Sequence, residues 1–325
     1  MVATEQLEQV CLVAQVEART TKAGKPFTKV TVKDKSGTLP INIWQTSPGD
    51  MADLKAGVFA VFKLQVEDFK GMKSATAQPP MLVKAPDDLV VYQNKIGLSD
   101  EEAEHYYKIL MDAKARVKNP LIKCYLDVIF DSPAIKELFI KAPASATNRG
   151  AYRGGLVEHV AKVMMNADAI IKSQAANHIL AKPDEDIIIA GVLMHDIGKM
   201  YAYSIDENGG ATTTRSGTLL EHLPMSYGFS VQSFIHAEDV LRKPIPEDIK
   251  DHINHCILAH HGKLEYGSPV TPKSLEAHIV HMADVSDSGT SIFTEAVAAG
   301  TNPNADGFVE GTKLSSYKLY VGKSL

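Results

Sequence analysis

Apolar and polar positions follow two different periods along this chain. Over residues 9–83 they alternate. Phe27-Thr28-Lys29-Val30-Thr31-Val32-Lys33 and Leu39-Pro40-Ile41-Asn42-Ile43-Trp44 each place every second side chain on one face, with turn signals at 20–26 and at Ser36-Gly37. A period of two predicts strands with one buried face. Apolar-rich runs at 9–18, 57–67 and 72–83, the last two flanking Lys70-Gly71, bring the expected strands to five. Five short strands in so short a stretch predict a small barrel, and an OB-fold suits them at least as well as an SH3-like barrel.

Past Ala85-Pro86-Asp87-Asp88 the period becomes helical. Ser99-Asp100-Glu101-Glu102 reads as a capping box, Ser99 being the cap and Glu102 its reciprocal partner. Helical patterns fill 99–141, interrupted at Asn119-Pro120 and Ser132-Pro133. From 155 onward the pattern is all-helical, over 155–177, 184–198, 219–241, 246–261 and 272–289. The tail after Gly300 is irregular, with a short strand expected at 317–321. The expected division is a barrel at 1–85, a helical linker region at 86–145, a helical domain at 146–300 and a tail at 301–325. The fold class is thus multi-domain α and β, an N-terminal OB-fold β-barrel followed by an all-α domain.

Composition narrows the class. The chain is 45% hydrophobic and 22% charged, which excludes collagen-like and disordered classes. No apolar run has the length of a membrane span, and the first residues lack the pattern of a secretory signal. Cys11, Cys124 and Cys256 stand far apart and form no CxxC pair, so the expectation is a reducing cytoplasm, with no membrane. The charge is uneven. Residues 1–85 hold 11 Lys+Arg against 8 Asp+Glu, and the remainder 23 against 31. A basic head on an acidic body agrees with a polyanion held by the head. Whether the chain forms a homo-oligomer is not readable.

Eleven of the twelve histidines lie after residue 150. His195-Asp196 closes the apolar run 187–194, where an aspartate is costly to bury unless something pairs with it or is coordinated by it. His159 shares a helix face with Leu156 and Val163. His260 follows Ile253 and Ile257 on a buried face, His261 lies four residues after Ile257, and Asp284 sits three residues after His281. A single inward histidine is ordinary core chemistry. Several helices that each present a histidine or aspartate supply the imidazole and carboxylate donors of divalent transition metals. By contrast His105, His178, His236, His252, His255 and His278 are expected to be structural or on the surface, and His281 faces the same way as Asp284. In the barrel, inward Val30, Val32, Leu39, Ile41 and Ile43 leave Phe27, Lys29, Lys33, Asn42 and Trp44 outward. Aromatics among lysines there match single-strand binders, which combine stacking with phosphate contacts. The competing expectation is that Trp44 plugs the barrel or packs on the second domain.

His159, His195-Asp196 and Asp284 match in order the H…HD…D signature of the HD-domain metal-dependent phosphohydrolases. The blocks 152–159, 190–199 and 258–269, with Pro272-Lys273-Ser274-Leu275-Glu276-Ala277 after them, resemble the YhaM-type 3′–5′ exoribonucleases, which place an OB-fold before an HD domain. Two positions depart from that pattern. Asn148-Arg149-Gly150 stands where the family commonly has a His pair, and Glu221-His222 where it usually has Gly-His.

The resemblance implies hydrolysis of single-stranded RNA, with single-stranded DNA as a second substrate, to nucleoside 5′-monophosphates. It also implies two divalent metal ions bridged by Asp196: His159, His195 and Asp284 would hold one, and His222, His260 and His261 the other. Lys199 would assist catalysis beside Asp196. Manganese is the first expectation, with iron, cobalt or magnesium as alternatives. Two other functions compete. One is a nucleotide or cyclic-nucleotide phosphohydrolase, which has no need of a strand-binding barrel. The other is a non-catalytic RNA-binding adaptor, which has no need of a complete set of ligands.

Overall fold

The structure, a computed structural model, describes residues 5–21, 23–34, 37–44, 46, 51, 54–56, 58–69, 72–77, 81–82, 97–146, 150–175, 182–206, 210–298, 306–309 and 319–320. The proposed boundary at 85–88 and the turn at Lys70-Gly71 lie outside them.

Six strands build the first unit: β1 (Glu5–Thr20), β2 (Pro26–Asp34), β3 (Gly37–Trp44), β4 (Phe59–Phe69), β5 (Met72–Ala77) and β6 (Met81–Leu82). The sheet order is β1-β2-β3-β5-β4-β6, and β1 also pairs with β4, which closes the barrel. Closure depends on the length of β1. Its second half pairs with β2 and its first half with β4, and the register shifts between Val13 and Gln15. Such an irregularity bends a strand and lets it turn between two neighbours. β3 and β5 run parallel through Ile41↔Ala75 and Asn42↔Thr76, whereas the other pairs are antiparallel. This is an OB-like barrel. Val13, Val30, Ile41, Ile43 and Phe62 are fully buried in its core. The run expected as one strand over 72–83 corresponds to β5 and β6, and residues 78–80 between them lie outside the described residues.

Residues 98–205 and 211–289 form a second compact unit. Its helices are α1 (Asp100–Lys114), α2 (Pro120–Phe130), α3 (Pro133–Lys141), α4 (Gly155–Ala175), α5 (Glu185–Met194), α6 (Lys199–Ala202), α7 (Arg215–Leu220), α8 (His222–Leu241), α9 (Glu247–Ala259) and α10 (Leu275–Ala298). The Ser99–Glu102 capping box is present, and Pro120 and Pro133 open their helices, where a missing N–H costs nothing. α5 is buried on every side from Ile187 to Met194 and forms the axis of the unit. The region expected as a linker behaves differently. Tyr107, Leu110, Tyr125, Leu126 and Phe139 of α1–α3 lie in the same core as Leu156, Val160 and α5. Their apolar stripes are too large to leave in water, so residues from 98 onward fold with the domain.

The region after 155 is not wholly helical. β7 (Tyr203–Ile205) and β8 (Ala211–Thr213) form a hairpin, with the Gly210 N–H donating to Asp206 Oδ1 at 2.8 Å. β-branched Thr212 and Thr213 suit a strand better than a helix. The helix expected from 219 is also split in two by the backbone at Glu221. In the tail, Phe308–Val309 pairs with Leu319–Tyr320, within the expected strand region.

Candidate metal centre

The apolar character of α5 drives its end into the core. His195 and Asp196, which follow it directly, are 0% and 1% exposed. Gly198 lets this corner approach the start of α8, since a Cβ there would lie 2.4 Å from the His222 carbonyl oxygen. Donors from four other helices or their ends then converge on Asp196.

The two oxygens of Asp196 divide the cluster. His159 Nε2 and His195 Nε2 lie 3.1 and 3.3 Å from Oδ2, and Asp284 Oδ1 lies 3.4 Å from His159 Nε2. His222 Nε2 and His260 Nε2 lie 3.4 and 3.6 Å from Oδ1, and His261 Nε2 lies 3.2 Å from His222 Nε2. His159, His195 and Asp196 form one group whose ligand atoms fall within 4.8 Å of one another, and His222, His260 and His261 form another. Lys199, at the start of α6, places Nζ 2.6 Å from Asp196 Oδ2.

Backbone acceptors turn the rings. The Nδ1 atoms of His195, His260 and His261 face the carbonyls of Val192 (2.7 Å), Ile257 (2.6 Å) and Tyr266 (2.8 Å). With Nδ1–H donating to a carbonyl, the Nε2 lone pair is left for the cluster. Burial pushes His222 down to about 3 and His260 well below the ordinary imidazole range. Burial opposes the charge on His159 as well, but hydrogen bonds with Asp196 and Asp287 outweigh it and raise the ring to about 9. Burial would also raise Asp196, yet Lys199, His195 and His159 hold it well below the usual carboxylate range. Lys199 is likewise opposed by burial and raised by Asp196.

One observation tests whether a cation suits this cluster. Asp196 Oδ1 is buried and has no hydrogen-bond partner, although two imidazole Nε2 atoms face it. Lone pairs directed at one another repel, and a cation between them turns repulsion into coordination. The donors are nitrogen and oxygen only, with no thiolate, so the set fits a divalent metal of intermediate softness.

Sequence reasoning missed Asp287. Its Oδ2 lies 2.8 Å from His159 Nδ1, and the residue is 7% exposed. The available signal was its place three residues after Asp284, on the same face of α10. Among these ligand candidates only His159 has a carboxylate behind it. Such a partner fixes the ring and raises its basicity. His281 proves to be a support, with Nδ1 donating to the His260 carbonyl at 2.7 Å. His252 and His255 hold Ser274 and the Lys273 N–H, away from the cluster.

On the barrel, Phe27 and Trp44 are register partners with ring centroids 4.9 Å apart, and Trp44 is 49% exposed. Lys29 is partly exposed beside Phe27 on the same strand face and pairs with Asn42. The side chain of Lys33 and residues Asn148 and Arg149 lie outside the described set.

Comparison with known proteins agrees with this geometry. Residues 156–289 match the HD domain family. That stretch of the helical unit, which carries the histidine–aspartate cluster, is therefore similar to the HD domain. A 3′–5′ exoribonuclease YhaM of Oceanobacillus iheyensis is 26% identical over 300 residues, covering 90% of this chain and 87% of the relative. Its counterpart in Halalkalibacterium halodurans is 28% identical over 302 residues, covering 90% and 86%. That of Listeria welshimeri is 26% identical over 304, covering 90% and 88%. Over nine-tenths of its length the chain is thus similar to proteins named 3′–5′ exoribonuclease YhaM. No solved structure matches it.

The backbone at Glu221 is unusual for a residue with a side chain. Glu221 adopts φ 62 and ψ 164, a region that essentially only glycine occupies without strain. It does so immediately before His222. Such strain costs about 1–3 kcal/mol, against about 0.5–1 kcal/mol for the greater chain entropy of glycine. Glu221→Gly should therefore stabilise the protein by about 1 kcal/mol, raising the thermal midpoint by about 2–4 °C. An unchanged or lower midpoint would show that Glu221 is not strained.

Asp287→Asn should weaken binding of divalent manganese, followed by calorimetric titration, by about 10- to 100-fold while the protein still folds. Unchanged affinity in a folded variant would exclude a positioning role for this carboxylate.

Proposed function

We propose that the chain is a metal-dependent 3′–5′ exonuclease. It hydrolyses single-stranded RNA to nucleoside 5′-monophosphates, with single-stranded DNA as the second substrate to test. The observation that carries this reading is the buried Asp196 carboxylate with a histidine group on each oxygen, on a chain that also carries an OB-like barrel. Relatives named as 3′–5′ exoribonucleases align with nine-tenths of it.

His159, His195 and Asp284 would hold one divalent cation and His222, His260 and His261 the other, with Asp196 shared. Manganese is the first choice, before iron, cobalt or magnesium. When bound, such cations supply Lewis acidity toward a phosphoryl group and acidify water. The chain contributes the rest. Carbonyl-anchored rings hold the donors at fixed angles, and the packed helices keep bulk water away from Asp196. Lys199 keeps a positive charge at the cluster, where charge grows on phosphoryl oxygens. On the barrel, Phe27 and Trp44 offer rings for base stacking, while Lys29 and Lys33 meet phosphates. The free cysteines and the lack, among the described residues, of a helix suited to crossing a membrane support a cytoplasmic place.

A nucleotide phosphohydrolase would leave the barrel without a task, and a binding adaptor would not need the full donor set. The direct test offers the protein, with manganese, 5′-labelled RNA, 5′-labelled DNA and a panel of nucleotides. A ladder shortening from the 3′ end of RNA is expected, and hydrolysis confined to mononucleotides would overturn the reading. Asp196→Ala should abolish hydrolysis and lower metal content. Turnover within about tenfold of the parent at equal metal content would reject the site.

Trp44→Ala should reduce affinity for single-stranded RNA by about 5- to 150-fold, because stacking on one ring is lost. Its thermal midpoint should hardly change. A large fall in the midpoint would mean that the ring supports the barrel instead.

A further inference from the structure

The segment that follows His261 is held rigidly yet presents apolar groups to water. Leu264–Tyr266 forms a single 3-10 turn. The Lys263 N–H donates to the His261 carbonyl at 3.0 Å, the Tyr266 N–H to the Lys263 carbonyl at 3.1 Å, and the Ser268 N–H to the same carbonyl at 3.2 Å. The turn closes back on the cluster, since the Tyr266 carbonyl accepts from His261 Nδ1 at 2.8 Å. Gly267 closes the turn at φ 81, in the left-handed region. The buried Ser268 hydroxyl ties the exit to the Leu258 and Val270 carbonyls.

The side chains on this frame show the opposite behaviour. Leu264 and Tyr266 are each 63% exposed. Lys263 Nζ lies 5.5 Å from the centroid of the Tyr266 ring and, among the described residues, has no ion pair. An exposed ring, an apolar neighbour and an unpaired ammonium thus sit on a backbone one hydrogen bond away from a candidate metal ligand. Packing of the helical unit gives no reason for that combination, whereas a nucleotide matches each part of it. A base has a π face for the ring, and its phosphate is an anion for the lysine.

We propose that Tyr266 and Lys263, flanked by Leu264, form the platform for the 3′-terminal nucleotides of the single strand being degraded. The inference rests on the exonuclease reading and adds to it the place where the strand end is held. Stacking accepts every base, as an enzyme that steps through a sequence requires. Because the Tyr266 carbonyl also orients His261, the backbone rather than a flexible side chain sets the spacing between platform and cluster.

A tetraribonucleotide, assayed on the full chain, tests this. Steady-state kinetics with manganese would compare the parent, Tyr266→Ala, Tyr266→Trp and Lys263→Ala, with metal content and melting measured on each. Substitution of Tyr266 leaves its carbonyl in place, so metal content and melting should match the parent. Tyr266→Ala should raise KM by about 5- to 150-fold. The loss should fall on KM rather than kcat, because stacking is the same in ground and transition states. Tyr266→Trp should restore KM, and Lys263→Ala should raise it. A tetradeoxyribonucleotide should show the same loss if stacking, and not the 2′-OH, is what the platform reads. A parent that degrades RNA beside a Tyr266→Ala variant of equal KM would overturn the platform alone. So would a loss confined to kcat with metal released. A parent inactive on every RNA would remove the exonuclease reading, and the platform with it.

Discussion

Burial of one carboxylate organises the helical unit. Asp196 is 1% exposed and stays ionised, a state that the protein interior strongly disfavours unless cationic or polar partners surround it. Its placement is a consequence of α5. Eight successive buried residues carry the chain to the centre, and the next two positions have nowhere else to go. Lys199, one turn later, supplies a compensating charge on Oδ2. The partnerless Oδ1 remains, and it is the feature that suits the cluster to a cation rather than to a conventional buried ion pair.

The surrounding histidines illustrate how such a site is kept from collapsing. Imidazoles free to rotate would pair with Asp196 or with one another in many ways. Carbonyls at Val192, Ile257 and Tyr266 take the Nδ1–H of three rings, and Asp287 takes that of a fourth. Each Nε2 is thereby committed inward before any ion arrives. His222 differs, with Nδ1 buried and unpartnered. It is also the ring that begins a helix immediately after the strained residue.

The barrel and the helices were legible because both follow from periodicity, whereas the candidate donor set rested mainly on the resemblance. Alternation in 27–33 and 39–44 placed Val30, Ile41 and Ile43 inward, and helical spacing placed His159 and His260 on buried faces. Other features depend on partners remote in sequence or on backbone angles, which leave no periodic trace. Asp287 is one more carboxylate on a helix until His159, 128 positions earlier, is seen against it. The helices expected as a linker have ordinary amphipathic stripes, and only the tertiary core shows that they cover α4 and α5. The hairpin at 203–213 is too short for its pattern to register.

Glu221 connects sequence and geometry most directly. Glutamate, where the resemblance led to an expected Gly-His, coincides with a backbone angle that glycine alone adopts freely. Local preference and tertiary demand therefore conflict at one residue, and the conflict is resolved in favour of the site. If Glu221 relaxed to an ordinary helical conformation, α7 and α8 would run on as one helix and His222 would swing away from Asp196. The break between those helices is what brings the His222 ring to 3.4 Å from Oδ1. Strain next to a candidate ligand is consistent with the placement of His222 mattering more to this chain than the stability lost there.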